Sequence, residues 1–134
     1  MGIFDLFGKK EAPIEGKIYG IRIAVHPMRL TAYKSNAVTL TIDLSNNFTS
    51  SQLTSVIITL PKTLGFDQSA LSNSKEIRLG DLAPGEVKNI KLDVWSIQRT
   101  KPGDYKLEVY VISHYRNYAY VLNEIKKEFR LRVV

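Results

Sequence analysis

Val38-Thr39-Leu40-Thr41-Ile42-Asp43-Leu44-Ser45-Asn46-Asn47 places an aliphatic side chain at every second position and then stops on three small polar residues. Successive side chains of an extended strand point to opposite faces, so this spacing makes one apolar and one polar face. A helix would need its apolar residues three and four apart. The closing Ser-Asn-Asn is turn chemistry, because short polar side chains bond their own backbone and tolerate turn conformations. The same alternation recurs along the chain. Ile21, Ile23 and Val25 precede Pro27; Val56, Ile58 and Leu60 run up to Pro61; Ile77 and Leu79 end at Gly80-Asp81. Ile90, Leu92 and Val94 follow the turn signal Pro84-Gly85, then Tyr105, Leu107, Val109 and Val111 follow Pro102-Gly103, and Phe129, Leu131 and Val133 close the chain. Short alternating runs separated by turn residues, with no convincing interior helix, predict an all-β fold. The expected architecture is a two-sheet antiparallel sandwich of about seven strands, with Trp95 near one end of the core.

The chain has 134 residues, 44% hydrophobic and 24% charged, the size and balance of one globular domain. The expected division is a short leader over residues 1–13 and the sandwich over residues 14–134. Cysteine is absent, which excludes disulfides, thiolate metal sites and a cysteine nucleophile. Neither a phosphate-binding loop nor a dinucleotide glycine pattern occurs. The two histidines, His26 and His114, stand apart, and acidic residues are scattered over outward strand positions. No nucleophile, base and orienting group can be assembled from that spacing, so the expectation is a protein that is not an enzyme and uses no cofactor or metal. Asn47-Phe48-Thr49 fits a glycosylation sequon and reads more simply as a polar turn.

Leu79-Gly80-Asp81-Leu82-Ala83-Pro84-Gly85-Glu86 contains the turn pattern G-x-L-x-P-G-E ahead of a strand, and Gly103-Asp104-Tyr105-Lys106-Leu107-Glu108-Val109 reads G-x-Y-x-L-x-V. Together they resemble prokaryotic immunoglobulin-like modules of the bacterial cell-adhesion-related (CARDB-like) type, over about residues 17–134. The resemblance implies an immunoglobulin-like sandwich acting as a non-catalytic binding or spacer module. It also makes Tyr105 the tyrosine near the start of the penultimate strand, a buried ring whose hydroxyl bonds main chain and pins a corner.

Parity along the last two strands carries the functional expectation. With Arg116-Asn117 as a tight turn, Ser113, Tyr115, Tyr118, Tyr120 and Leu122 share the inward face with Val111, whereas the later inward set is Ile125, Phe129 and Leu131. One extra residue at Asn123-Glu124, a β-bulge, reconciles the two halves. On the opposite face Ile57, Tyr110, Ile112, Ala119 and Val121 then all point outward from strands that neighbour one another in an immunoglobulin-like sheet. A water-facing sheet surface normally carries polar residues there. These five residues are therefore the candidate contact surface, for a protein partner or for self-association.

Nineteen basic against 13 acidic residues give a net charge of +6, spread over both halves of the chain rather than gathered into a tail. This is a weak invitation to anionic partners. The leader offers one route, since Ile3, Phe4, Leu6 and Phe7 precede Lys9 and Lys10 and form a short apolar-basic element able to rest on a membrane surface or to fold back on the protein. Met1-Gly2 begins a myristoylation pattern, but Leu6 stands where that pattern needs Ser or Thr. The other route is the last hairpin, where Arg116 lies among Tyr110, Tyr115, Tyr118 and Tyr120; aromatics interleaved with cations can stack single-stranded bases. Phe4, Phe7, Lys9, Lys10 and Arg116 are thus the candidate anionic-surface contacts, with nucleic acid the less favoured partner. No apolar run approaches a membrane span and no secretory leader pattern is present, so the expectation is a cytoplasmic protein, with peripheral membrane attachment as its variant.

Overall fold

The structure, a computed structural model, describes residues 18–134. The expected leader over residues 1–13 lies outside the described residues, as do residues 14–17. Strands β1 (Tyr19–His26), β3 (Asn36–Asn46), β7 (Val87–Ser96) and β5 (Leu64–Gly65) form one sheet, in the order β1-β3-β7-β5. Strands β2 (Arg29–Leu30), β9 (Val121–Val133), β8 (Gly103–His114), β4 (Gln52–Thr59) and β6 (Ser74–Leu82) form the other, in the order β2-β9-β8-β4-β6. The seven long strands are those expected from alternation. The two additions, β2 and β5, are two residues each, too short to show a period. Among the described residues all ladders are antiparallel except β2 against β9. The arrangement is an immunoglobulin-like sandwich, in which the chain leaves β1 in one sheet, turns at a cis His26-Pro27 bond and enters β2 in the other.

The core lies where the two inward faces meet. Leu40, Ile42 and Leu44 of β3 face Val56 and Ile58 of β4 and Leu107, Val109 and Val111 of β8, all with no solvent exposure. Burying each such side chain contributes about 1.5–3 kcal/mol relative to leaving it in water. Trp95 departs from expectation. Val94 points inward, so its neighbour points out, and Trp95 lies half-buried on the outer surface of the four-stranded sheet, opposite Ala37 and Gly65 in the ladder.

Two corners are fixed by single side chains. The Tyr105 hydroxyl donates to the Lys101 carbonyl at 2.7 Å while its ring packs half-buried against the core. Asn46, wholly buried at the end of β3, donates its amide to the carbonyls of Ser50 and Leu82, each at 2.9 Å, and accepts from the Phe48 amide. Its backbone pairs with Glu86 and Gly85. One carboxamide therefore joins the β3–β4 turn to the β6–β7 turn, where Gly85 takes the left-handed conformation that glycine adopts without steric cost.

Candidate functional site

The outer surfaces of the two sheets differ in chemistry. On the four-stranded sheet the outward positions along the middle of β3 and β7 are Thr39, Thr41, Asp43, Asn89, Lys91 and Asp93, a solvated polar surface, with Ala37 and Trp95 at one end and Val87 at the other. On the five-stranded sheet Val56, Ile58, Val109 and Val111 are buried inward, so Ser55, Ile57 and Thr59 of β4 and Glu108, Tyr110 and Ile112 of β8 face out. The ladder lines them up in rows across four strands. One row is Arg78, Ser55, Ile112 and Glu124; the next is Glu76, Ile57, Tyr110 and Lys126; the third is Ser74, Thr59, Glu108 and Glu128. Ile57, Tyr110 and Ile112 thus form an apolar centre, bordered by Ser55, Thr59 and Glu108, and the flanks on β6 and β9 are mostly charged.

The charged flank on β9 is internally paired. Lys126 reaches Glu108 at 3.2 Å and Glu128 at 3.4 Å, Lys106 reaches Glu128 at 3.5 Å, and Arg132 reaches Asp104 at 3.5 Å. The hydrogen bond from Lys126 holds the Glu108 carboxyl below the usual carboxylate range, and Glu108 in turn raises the Lys126 ammonium. Desolvation pushes the Tyr110 phenol up, and its hydroxyl donates to Glu108 at 3.2 Å.

The expected contact residues separate into three groups. Ile57 and Tyr110 lie half-buried at the centre of the face. Ile112 also points outward, but at 6% exposure it is unavailable as a direct contact. Ala119 sits exposed on the β8–β9 loop, and Val121, the first residue of β9, is 58% exposed opposite His114 in the ladder.

The loop is where the sequence reading departs most from the structure. His114 pairs with Val121 and Ser113 with Asn123, so Leu122 is the extra residue and the bulge falls one position earlier than expected. The connection is the six-residue loop Tyr115 to Tyr120 rather than a tight turn at Arg116-Asn117, closed by the Tyr115 amide on the Tyr120 carbonyl at 2.9 Å. Freed from strand parity, Tyr115 and Tyr120 are exposed instead of inward, and Leu122 joins them. Tyr118 turns onto the outer face. Its hydroxyl accepts the Gly80 amide at 2.9 Å, its ring meets His114 edge-on with centroids 5.0 Å apart, and the Arg78 guanidinium stands 4.7 Å from its centroid.

Tyr118 thus spans from β8 to β6 across β4. Beneath it Ser55 and His114 are buried although both belong to the outward face, joined by a 2.7 Å bond between Ser55 Oγ and His114 Nε2. His114 Nδ1, also buried, has no hydrogen-bond partner among the described residues. Among the described residues no carboxylate bonds this serine-histidine pair, and the serine is wholly buried. Alternation along the strands could not have found Tyr118, because its role depends on the loop and on a backbone amide 38 residues away.

Beside the loop lies a cleft of about 370 Å³, lined in part by Gln52, Asp81, His114, Arg116 and Leu122. Arg116 is exposed, with a left-handed backbone (φ 70°) and its guanidinium 5.2 Å from the Tyr115 ring centroid. Phe4, Phe7, Lys9 and Lys10 lie outside the described residues. Among the described residues no group of three or more His, Cys, Asp or Glu side chains could hold a metal ion, and no helix is long and apolar enough to cross a membrane.

No protein-family model matches the chain, and the comparison with curated proteins finds no match either. Solved structures do resemble it. The C-terminal part of native alpha-2-macroglobulin from Escherichia coli matches 88% of this chain with a TM-score of 0.61 and 18% identity, over 17% of its own length. A Salmonella alpha-2-macroglobulin variant matches 87% with a TM-score of 0.63 and 14% identity, over 7% of its length. A FixG-related protein from Vibrio parahaemolyticus matches 87% with a TM-score of 0.53 and 12% identity, over 96% of its length. The chain spans less than a fifth of the macroglobulin chains it matches. These likenesses concern the immunoglobulin-like fold.

Proposed function

We propose that this protein is a non-enzymatic interaction module whose contact surface is the outer face of the five-stranded sheet together with the adjoining β8–β9 loop. The observation that carries this reading is the contrast between the middles of the two sheet surfaces: one carries Thr39, Thr41, Asp43, Asn89, Lys91 and Asp93, with apolar Trp95 and Val87 only toward the ends of β7, whereas the other has Ile57 and Tyr110 at its centre and charged residues at its flanks. An apolar centre with a polar rim is the anatomy of a protein–protein contact. Tyr115, Tyr120, Val121 and Leu122 extend it at the loop end, each more than half exposed, and tyrosine provides large contact area at low entropic cost. Nucleic-acid attachment through Arg116 of the last hairpin is the weaker reading, because that guanidinium already lies over the ring of Tyr115.

The test is site-specific photo-crosslinking in the native host, with the photoreactive residue at Tyr110, at Tyr120 or, as control, at Lys91 on the outer face of the other sheet. The same crosslinked protein, this chain or another, is expected from the first two positions and not from the third. Equal crosslinking from all three, or none from Tyr110 and Tyr120, would overturn the reading.

A further inference from the structure

We infer that the occupant of the outer face is a second copy of this chain, packed face to face about a two-fold axis that runs along the strands between β4 and β8. The inference rests on the reading of this face as a contact surface and goes further by naming what binds it. An axis in that position reverses the strand order of the facing copy, so that β6 lies over β9 and β4 over β8. The rows set by the ladder then fix what meets what. Ile57 faces Tyr110 of the second copy and Glu76 faces its Lys126, while Arg78, its guanidinium over the Tyr118 ring of its own chain, stands opposite Glu124 at the end of the face that Tyr118 covers. In the third row Ser74 and Thr59 face Glu128 and Glu108, hydroxyls against carboxylates.

No like charges meet in these rows, and the two outward charged residues of β6, Glu76 and Arg78, which also reach each other at 3.4 Å within their own strand, each stand opposite a residue of the other sign on β9. Because the axis is two-fold, every such pair occurs twice. A partner of unrelated sequence gives no reason for the two flanks of one face to be mutual complements.

The geometry tolerates the packing. Facing sheets cross at about 30°. At β6 and β9, one and a half strand spacings or roughly 7 Å from the axis, that rotation displaces facing residues by about 4 Å, within the reach of Glu, Lys and Arg side chains. The shared face is about three strand spacings wide, roughly 14 Å, and about four residue rises long, roughly 13 Å. That footprint, roughly 180 Å² per copy, is far below the roughly 800 Å² per partner of a standard stable interface, so the dimer should be weak and dissociate on dilution.

The experiment is sedimentation equilibrium of the 134-residue chain from about ten micromolar to about one millimolar, a range that brackets weak self-association. Four proteins are compared: the parent, Glu76→Lys, Lys126→Glu and the double variant carrying both. Each single change places two like-charge pairs across the interface and should raise the dissociation constant roughly tenfold or more. The double variant exchanges the partners and should return close to the parent. Glu76 and Lys126 sit on β6 and β9, separated by two intervening strands, so they cannot rescue one another within a single chain. Thermal unfolding verifies that all four remain folded.

A parent that stays monomeric throughout, single variants that associate as the parent does, or a double variant no better than the singles would each overturn the inference. A monomeric parent that still crosslinks to another protein from Tyr110 would remove the second copy and leave the contact surface standing.

Discussion

Tyr105 and Asn46 each bond main chain at a corner of the sandwich, but only one of them was legible in the sequence. Tyr105 stands two residues after Gly103 at the head of an alternating run, in a pattern that resembles a tyrosine corner, and its hydroxyl does bond the Lys101 carbonyl. Tyr105→Phe should lower stability by about 0.5–1.5 kcal/mol, the net worth of one such bond, as read from the shift of a denaturant midpoint with an unchanged slope. Asn46 looked like one member of a Ser-Asn-Asn turn. Its larger role appears only when the β6–β7 turn is folded beside it, bringing the Leu82 carbonyl to its amide. Asn46→Ala leaves two carbonyls and one amide without their side-chain partner in a buried place, so a loss of about 2–3 kcal/mol is expected in the same measurement.

Among the elements, the strands were read well because burial on one face forces a period of two, and the last loop was read poorly because nothing forces a period on it. The need for a bulge was visible in the conflict between Val111 and Ile125 parity, yet parity cannot distinguish Leu122 from Asn123 as the extra residue. Trp95 failed for a related reason: a large aromatic suggests a core, whereas its position next to Val94 puts it on the outside. The loop's placement has a direct readout. Gly80 sits at a bulge opposite Thr54 and donates its amide to Tyr118 rather than to the ladder. In Tyr118→Phe the exchange of the Gly80 amide with deuterium should accelerate while the amides of Val56 and Val111 stay protected. Unchanged protection at Gly80 would mean that the loop does not hold the β6 edge.

For the whole molecule, the ion pairs on the β8–β9 surface predict a pH dependence. The folded Glu108 carboxyl lies below its unfolded value because Lys126 bonds it, so its contribution is present above the unfolded carboxyl value of about 4.3 and disappears as pH falls through the folded value. Lys126→Met should therefore flatten the acid limb: between about pH 6 and about pH 3 its unfolding midpoint should fall less than that of the parent. Asp67 and Glu86 are also held low, by Ser69 and by the Ala83 amide, and they titrate alike in both proteins, so the difference isolates the surface pairs. A final consequence follows from the one parallel ladder. Beside the end of β9, β2 is held by the Val134 amide on the Leu30 carbonyl at 2.9 Å and the Ala32 amide on the Val134 carbonyl at 2.7 Å. Tension applied between the first strand and the last residue slides β2 along β9, loading those bonds together, whereas tension on β6 unzips its pairs with β4 one after another. The sandwich is therefore mechanically anisotropic, stiff along the line joining its ends and weak at its opposite edge.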